Sequence, residues 1–337
     1  MEPVQLPEPS CEELAFHKDG PSMTTADQVF VGIDVSEAQL EVHMLPSEEH
    51  FVVENSDQGF EQLLGRLKQA PVELVVMEAT GAVEHAAARA IGEAGLELVV
   101  ANPRRTRHFA RAMGLLAKTD RIDATGLAHY AEKVRPEPTR LSSPARQALK
   151  DAIQRRRQLV KMRTAEKNRL RRVAARPVRR SIEQLVRCLD KQIDKFERQL
   201  EKLVAEDPRT RRLHQIITSV PGLGTQSACA VIAELPELGQ ANRQQIAALA
   251  GVAPYNCDSG TLRGQRRIYG GRATLRQALY MAMLAATRYN PVIRSFYRRL
   301  IQAGKPAKLA LTAAMRKTLV ILNAMVRKDQ TWQPETP

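Results

Sequence analysis

Cysteine, aromatic residues and long apolar runs are all scarce in this chain, and each shortage excludes something. The four cysteines, Cys11, Cys188, Cys229 and Cys257, are far apart and form no Cys-x-x-Cys pair. That spacing argues against a disulfide framework or a thiolate zinc site, and reduced thiols in a cytosolic setting are the simplest account. Aromatic residues make up 4% of the sequence, too few for a stacking platform on which single strands would lie. No apolar stretch approaches the length of a membrane span. The N-terminus is acidic and polar, without a basic segment leading into an apolar one, so it does not read as a secretory signal. A cytoplasmic chain with no membrane partner is expected.

What is abundant is positive charge. Lys and Arg outnumber Asp and Glu by 51 to 37, for a net charge of +14 and a pI near 9.9. Such an excess favours polyanionic partners, chiefly nucleic acid. It is also concentrated: between Arg155 and Arg180 stand twelve Lys or Arg residues and one acid, Glu166. Arg155, Arg156, Arg157, Lys161, Arg163, Arg169, Arg171 and Arg172 are therefore candidate phosphate contacts. A solvated charged face is the bland alternative, and the shortage of balancing acids weighs against it.

At 337 residues the chain has room for two or more domains. Residues 1–27 are Pro-rich and acidic without periodicity and read as a flexible tail. Buried-strand patterns follow at Val29–Val35, at Leu40, Val42 and Met44, and at Phe51–Val53. A helix with Phe60, Leu63, Leu64 and Leu67 on one face comes next. Then come a strand ending at Glu78, an Ala-rich helix from Val83 to Ala94 closed by Gly95, and a strand over Leu96–Val100. A further helix spans Asp120 to Lys133. Three strands, then alternating helices and strands, describe a ribonuclease H-like domain over 28–140.

Pro136, Pro138 and Pro144 mark a linker. A basic coiled-coil region is expected over 141–208, with one helix running to a break at Pro177 and a second from Val178 to Ala205. In the second, Ile182, Leu185, Leu189, Ile193, Phe196, Leu200 and Leu203 step by threes and fours. The two helices form a hairpin or pair with another subunit; the pattern fits both. Residues 209–330 read as a helical domain, with a C-terminal tail over 331–337. The overall class is α/β plus all-α. Within the helical domain Ile216–Ala233 resembles a helix-hairpin-helix unit, whose turn at Gly222 and Gly224 would let backbone N–H groups approach a phosphate.

Four carboxylates stand out for chemistry. Asp34 lies inside an apolar strand and Glu78 closes another, and a lone acid there is costly to bury unless something pairs with it. Asp120 and Asp123 share one helix face. The first and fourth strands would bring Asp34 beside Glu78, with the helix adding the other two. Clustered carboxylates repel unless a cation joins them, and hard oxygen donors suit Mg²⁺ or Mn²⁺. A second candidate is the loop over 251–271, where Ser259 precedes Gly260 amid Arg263, Arg266, Arg267 and Arg272. Several guanidiniums can clamp a phosphate, while a Ser-Gly pair by itself is more often a turn than a nucleophile.

Taken together, the Asp34 strand, Met77-Glu-Ala-Thr-Gly81, Lys118-Thr-Asp-Arg-Ile-Asp-Ala124, the Val220–Gly224 turn and the Ser259 loop resemble one family. It is the DEDD-type insertion-sequence transposases, also called bridge-RNA-guided recombinases, and the similarity covers residues 28–327. The resemblance implies that the ribonuclease H-like domain is RuvC-like and that Asp34, Glu78, Asp120 and Asp123 are an acidic tetrad holding Mg²⁺. It implies that Ser259 is the catalytic serine, forming a transient link to DNA. It also implies a noncoding guide (bridge) RNA that pairs with target and donor DNA, and a homo-oligomer in which dimers assemble to a tetramer. Such a protein would be nucleoid-associated when acting. Two rival readings are a RuvC-type junction nuclease that uses water as nucleophile, and a non-catalytic nucleic-acid-binding protein with structural acids.

Overall fold

The computed structural model describes residues 28–333 apart from positions 116, 118, 140–142, 257, 260, 261 and 265, and at 262 and 263 only the backbone. The expected N-terminal tail, 1–27, lies outside the described residues. The chain forms two compact units that divide after Leu141.

The first unit runs β1 (Val29–Val35), β2 (Gln39–Leu45), β3 (Glu49–Glu54), α1 (Asp57–Leu67), β4 (Val72–Glu78), α2 (His85–Glu93), β5 (Leu98–Ala101), α3 (Pro103–Ala112) and α4 (Asp120–Val134). Its five-stranded sheet has the order β3-β2-β1-β4-β5. β1, β2 and β3 form an antiparallel meander, and β4 and β5 join parallel to β1. That is the ribonuclease H-like arrangement.

Alternation along the strands decides which side chain meets which helix. Val31, Ile33 and Val35 turn to the face covered by Phe60, Leu63 and Leu67 of α1 and by Ala87, Ala88 and Ile91 of α2. Phe30, Leu74, Val76, Val99 and Ala101 turn to the other face and meet Leu127, Ala128, Tyr130 and Ala131 of α4. α4 starts where the Thr119 hydroxyl accepts the Ile122 N–H, a standard way to satisfy a helix's first donors. α3 was not expected. It carries Arg104, Arg105, Arg107, His108 and Arg111 and fully buries only Thr106, with Phe109 packed edge-on to Tyr130 of α4, so its apolar stripe is narrow. Its signal is local instead: the Asn102 side chain accepts the Arg104 N–H and Pro103 takes the first position.

The second unit begins with α5 (Pro144–Leu170) and α6 (Arg176–Glu206), followed by α7 (Pro208–Thr218), α8 (Thr225–Glu234) and α9 (Arg243–Leu249). Next come β6 (Pro254–Tyr255), β7 (Asp258–Ser259), β8 (Leu262–Arg263) and β9 (Arg267–Ile268), then α10 (Ala273–Tyr289), α11 (Pro291–Gln302) and α12 (Ala307–Arg327). α5 and α6 pair with each other as an antiparallel hairpin. Arg156 meets Glu197, and Arg163 meets Asp190 at 2.8 Å. Leu159 is buried between them against Leu189 and Ile193. Pro177 lies in the first turn of α6, where its missing N–H costs nothing, and so does not break α5. Leu185, expected in the seam, is 43% exposed.

The hairpin is not a body of its own. Leu149 and Ala152 of α5 and Leu200 and Val204 of α6 are buried in the same core as Ile217, Val231, Ile246, Leu279, Met283 and Leu319. The loop expected over 251–271 contains two short antiparallel ladders, β6 with β9 and β7 with β8. The expectation that no apolar stretch reaches membrane-spanning length also needs correction. α12 is long and apolar enough by length and composition, yet Leu311, Met315, Leu319 and Leu322 are buried in the helical core. Cys188 and Cys229 are free thiols.

One contact in the first unit is unusually close. A methyl group at Gly32 of β1 would overlap the backbone of Ala124 and Ala128 in α4. Gly32→Ala is expected to destabilise the protein by about 1–3 kcal/mol, the usual range for overpacking. Urea denaturation followed by far-UV circular dichroism reads this directly; an unchanged midpoint would contradict the packing described.

Candidate active site

The same alternation that builds the core also places the acids. Asp34 continues the series Phe30–Gly32 on the α4 face of β1, and Glu78 continues Leu74–Val76 on that face of β4. The parallel register pairs Ile33 with Met77, so Asp34 and Glu78 stand side by side where the strands end. Asp120 and Asp123 occupy the first turn of α4, where acids are favoured by the helix dipole. All four line one cavity of about 430 Å³.

Their charges interact. Burial and the neighbouring Asp123, Asp120 and Glu78 raise the Asp34 carboxyl from 3.8 to about 6, against a smaller opposing effect from the Val35 backbone. The donor set is entirely hard oxygen, which fits a divalent cation such as Mg²⁺ or Mn²⁺. Among the described residues no three His, Cys, Asp or Glu side chains already converge as a ready-made ligand set. The acids share the cavity without yet closing on a point.

Several residues around them were not foreseen from the sequence. Thr106 is buried and its hydroxyl donates to Glu78 Oε2 at 2.8 Å, fixing that carboxylate. The turn after Glu78 is held by Glu84, also buried, which accepts the N–H groups of Thr80 and Ala82, each at 3.0 Å. This turn is tight enough to put Ala82, a non-glycine residue, at φ 96°, which costs strain. Thr80, Arg107 and Arg111 line the cavity with the acids. The Asn102-Pro103 helix start was the available signal for the residues on α3.

The remaining candidates lie in the second unit. Ser259 is exposed, ends β7 and pairs with Leu262 across the ladder. Asp258 steadies that hairpin by accepting the Gly264 N–H at 3.0 Å. Arg266 and Arg267 are exposed, while Arg272 is held by both oxygens of Glu237 at 2.6 and 2.7 Å. The Arg263 side chain lies outside the described atoms. On the hairpin, Lys161, Arg171 and Arg172 are exposed. Arg155 donates to Gln158, Arg157 reaches Thr274 and Gln277, and Arg169 pairs with Glu166. Arg156 and Arg163 carry the interhelical pairs already described. Gly222, at φ 97°, packs against Ala286, where a methyl would collide, so packing accounts for this glycine. Gly224 has open space around it at the start of α8.

Comparison with known proteins now bears on this geometry. Residues 31–176 match the DEDD-type IS110 family model described as "Transposase", and residues 214–298 match the one described as "Transposase IS116/IS110/IS902 family". The chain belongs to the IS110 transposase family. The first match contains all four acids and the second contains Ser259. The "Pilin gene-inverting protein" of Moraxella lacunata is 24% identical over 90% of this chain and 97% of its own length. A "Probable family 20 transposase" of Pseudomonas aeruginosa is 25% identical over 90% and 98%. Among solved structures, T. thermophilus RuvC in complex with Holliday junction substrate is 18% identical, covers 33% of this chain and 99% of that one, and has a TM-score of 0.25. The fold assignment rests on the strand order instead. An IS110-family transposase is a DNA recombination and transposition enzyme.

The Asp34 shift has a measurable sign. Its folded-state value lies above the unfolded one, so without divalent cation stability is lost as pH rises from about 4 to about 6 and then levels off. The loss is on the order of 2–3 kcal/mol, since each unit is worth about 1.4 kcal/mol. Asp34→Asn removes the charge, and its gain in urea midpoint over the wild type is expected to be larger near pH 7.5 than near pH 4. Equal gains at both pH values would rule the shift out.

Proposed function

We propose that this transposase cuts, exchanges and rejoins DNA strands with a divalent cation, Mg²⁺ or Mn²⁺, at the acidic cavity and Ser259 as the attacking group. The observation that carries the reading is the gathering of Asp34, Glu78, Asp120 and Asp123 around one cavity, with Asp34 raised by burial and then by the other three. Like charges brought together in a half-buried site are stabilised by a cation, and four carboxylates are the donors such an ion prefers. When bound, the ion supplies positive charge that polarises a phosphate and steadies the oxygens at which charge develops.

The chain's own groups do the rest. Ser259 gives up its hydroxyl proton as Oγ bonds to phosphorus, the bridging bond to the leaving strand breaks, and the departing oxygen takes up a proton. Attack on the phosphoserine by a hydroxyl of a second strand re-forms a phosphodiester and returns the serine. A relative named for inverting a gene favours this rejoining chemistry over net hydrolysis. Lys161, Arg171, Arg172, Arg266 and Arg267, exposed on the second unit, and the open Gly224 are the groups we assign to nucleic-acid phosphates.

The reading extends to partners. A noncoding bridge RNA would select target and donor DNA by base pairing. The protein would act as a dimer assembling to a tetramer, nucleoid-associated in the cytoplasm, with Met162, Val178 and Leu185 on the hairpin as exposed apolar surface for contact between copies.

Two variants test the chemistry. Asp34→Ala and Ser259→Ala should each abolish recombination between donor and target plasmids. Wild type, but not Ser259→Ala, should leave a denaturation-resistant protein–DNA adduct in Mg²⁺. Cutting retained by Ser259→Ala would point to water as the nucleophile. Sequencing RNA that co-purifies with the protein should return one structured transcript encoded beside the gene, and its absence would remove RNA guidance.

A further inference from the structure

The acidic cavity is lined by a second set of charges that cation binding does not use. Arg107 and Arg111 lie one turn apart on α3, hence on one face of that helix, and both line the cavity with the four acids. Their neighbours Arg104 and Arg105 do not line it. A guanidinium near carboxylates usually forks onto one of them, and elsewhere in this chain that happens: Arg66 meets Glu49 at 3.0 Å and Arg272 meets Glu237 at 2.6 Å. Among the described residues neither Arg107 nor Arg111 forms an ion pair or donates a side-chain hydrogen bond, and both are exposed. Two unspent cations therefore stand at the wall of a cavity that already holds four acids.

The helix that carries them is not loosely placed. Thr106, adjacent to Arg107, shares its one hydroxyl proton between Glu78 at 2.8 Å and the Pro103 carbonyl at 3.1 Å. α3 is thereby tied to Glu78, and the two guanidiniums are indexed to the same carboxylate. Planar guanidinium groups match the paired oxygens of a phosphate. Preset donors aimed at developing charge lower a barrier more than groups that must first reorganise.

We propose that Arg107 and Arg111 are catalytic residues of the transposition reaction, binding the non-bridging oxygens of the scissile phosphate. Both side chains are exposed, so solvated surface charge is the competing account, and their shared place on the cavity wall beside four acids weighs against it. The inference rests on the reading of the cavity as the site of strand cleavage.

The experiment uses the full-length protein with the RNA transcribed beside its gene and a synthetic duplex carrying the element's end. One duplex has an ordinary phosphodiester at the cut site, and the other has an uncharged methylphosphonate there. On the ordinary duplex, Arg107→Ala and Arg111→Ala should each slow single-turnover cleavage by about 10²-fold, the usual loss for one such donor, with duplex affinity nearly unchanged. Arg→Lys at either position should recover part of the rate. On the methylphosphonate, which removes the charge the guanidiniums would meet, wild type should fall and the alanine variants should lose little more. An equal defect of the variants on both duplexes would overturn this inference alone. Failure of wild type to cut the ordinary duplex would overturn the strand-cleavage reading and this inference with it.

Discussion

The first unit depends on how closely one helix backbone can approach one strand. α4 lies against β1 at Gly32, where even a methyl group would collide with the Ala124 and Ala128 backbone. Any larger residue would lift the helix and with it the start of α4, where Asp120 and Asp123 stand. The glycine thus trades some strand propensity for position. The same contact lets Leu127, Ala128 and Ala131 seal the sheet behind the acids, so the core and the cavity are two ends of one packing arrangement.

A cavity of this kind works against the fold that houses it. Like charges share a partly buried space, Ala82 holds a left-handed backbone, and Glu84 is buried to brace the turn. Each is a local cost that ordinary packing would avoid, and such costs gather where function requires them. The same unit holds the compensation. Thr106 meets Glu78, the Thr80 and Ala82 N–H groups meet Glu84, and two apolar clusters close both faces of the sheet.

Much of this was legible in the chain. Alternation of apolar residues in β1 and β4 marked strands, and acids at their ends broke the pattern in a way that burial alone would not favour. Asp120 and Asp123, spaced by three, marked a helix face. α3 escaped notice because its apolar stripe is narrow and set among arginines, so its Asn-Pro start was the clearer signal. Gly222 looked like a phosphate turn because glycine serves close approach of any kind, and here the approaching group is Ala286. Likewise, a charge-rich helix reads as a nucleic-acid surface until its partners are seen. Arg156 and Arg163 turned out to stitch α5 to α6. The ladders around Ser259 are two residues long, too short to repeat the two-residue alternation of a strand.

The single tryptophan of the chain has a use that its chemistry does not suggest. Trp332 is partly buried against the helical core, and its backbone N–H donates to the Ser219 hydroxyl at 2.8 Å. The segment expected as a C-terminal tail is therefore anchored at that point. Intrinsic indole fluorescence from this protein is in effect a built-in reporter for the second unit and is blind to the first. A denaturation curve followed at that wavelength and one followed by a whole-chain signal need not coincide, and the gap between them would measure how independently the two halves melt.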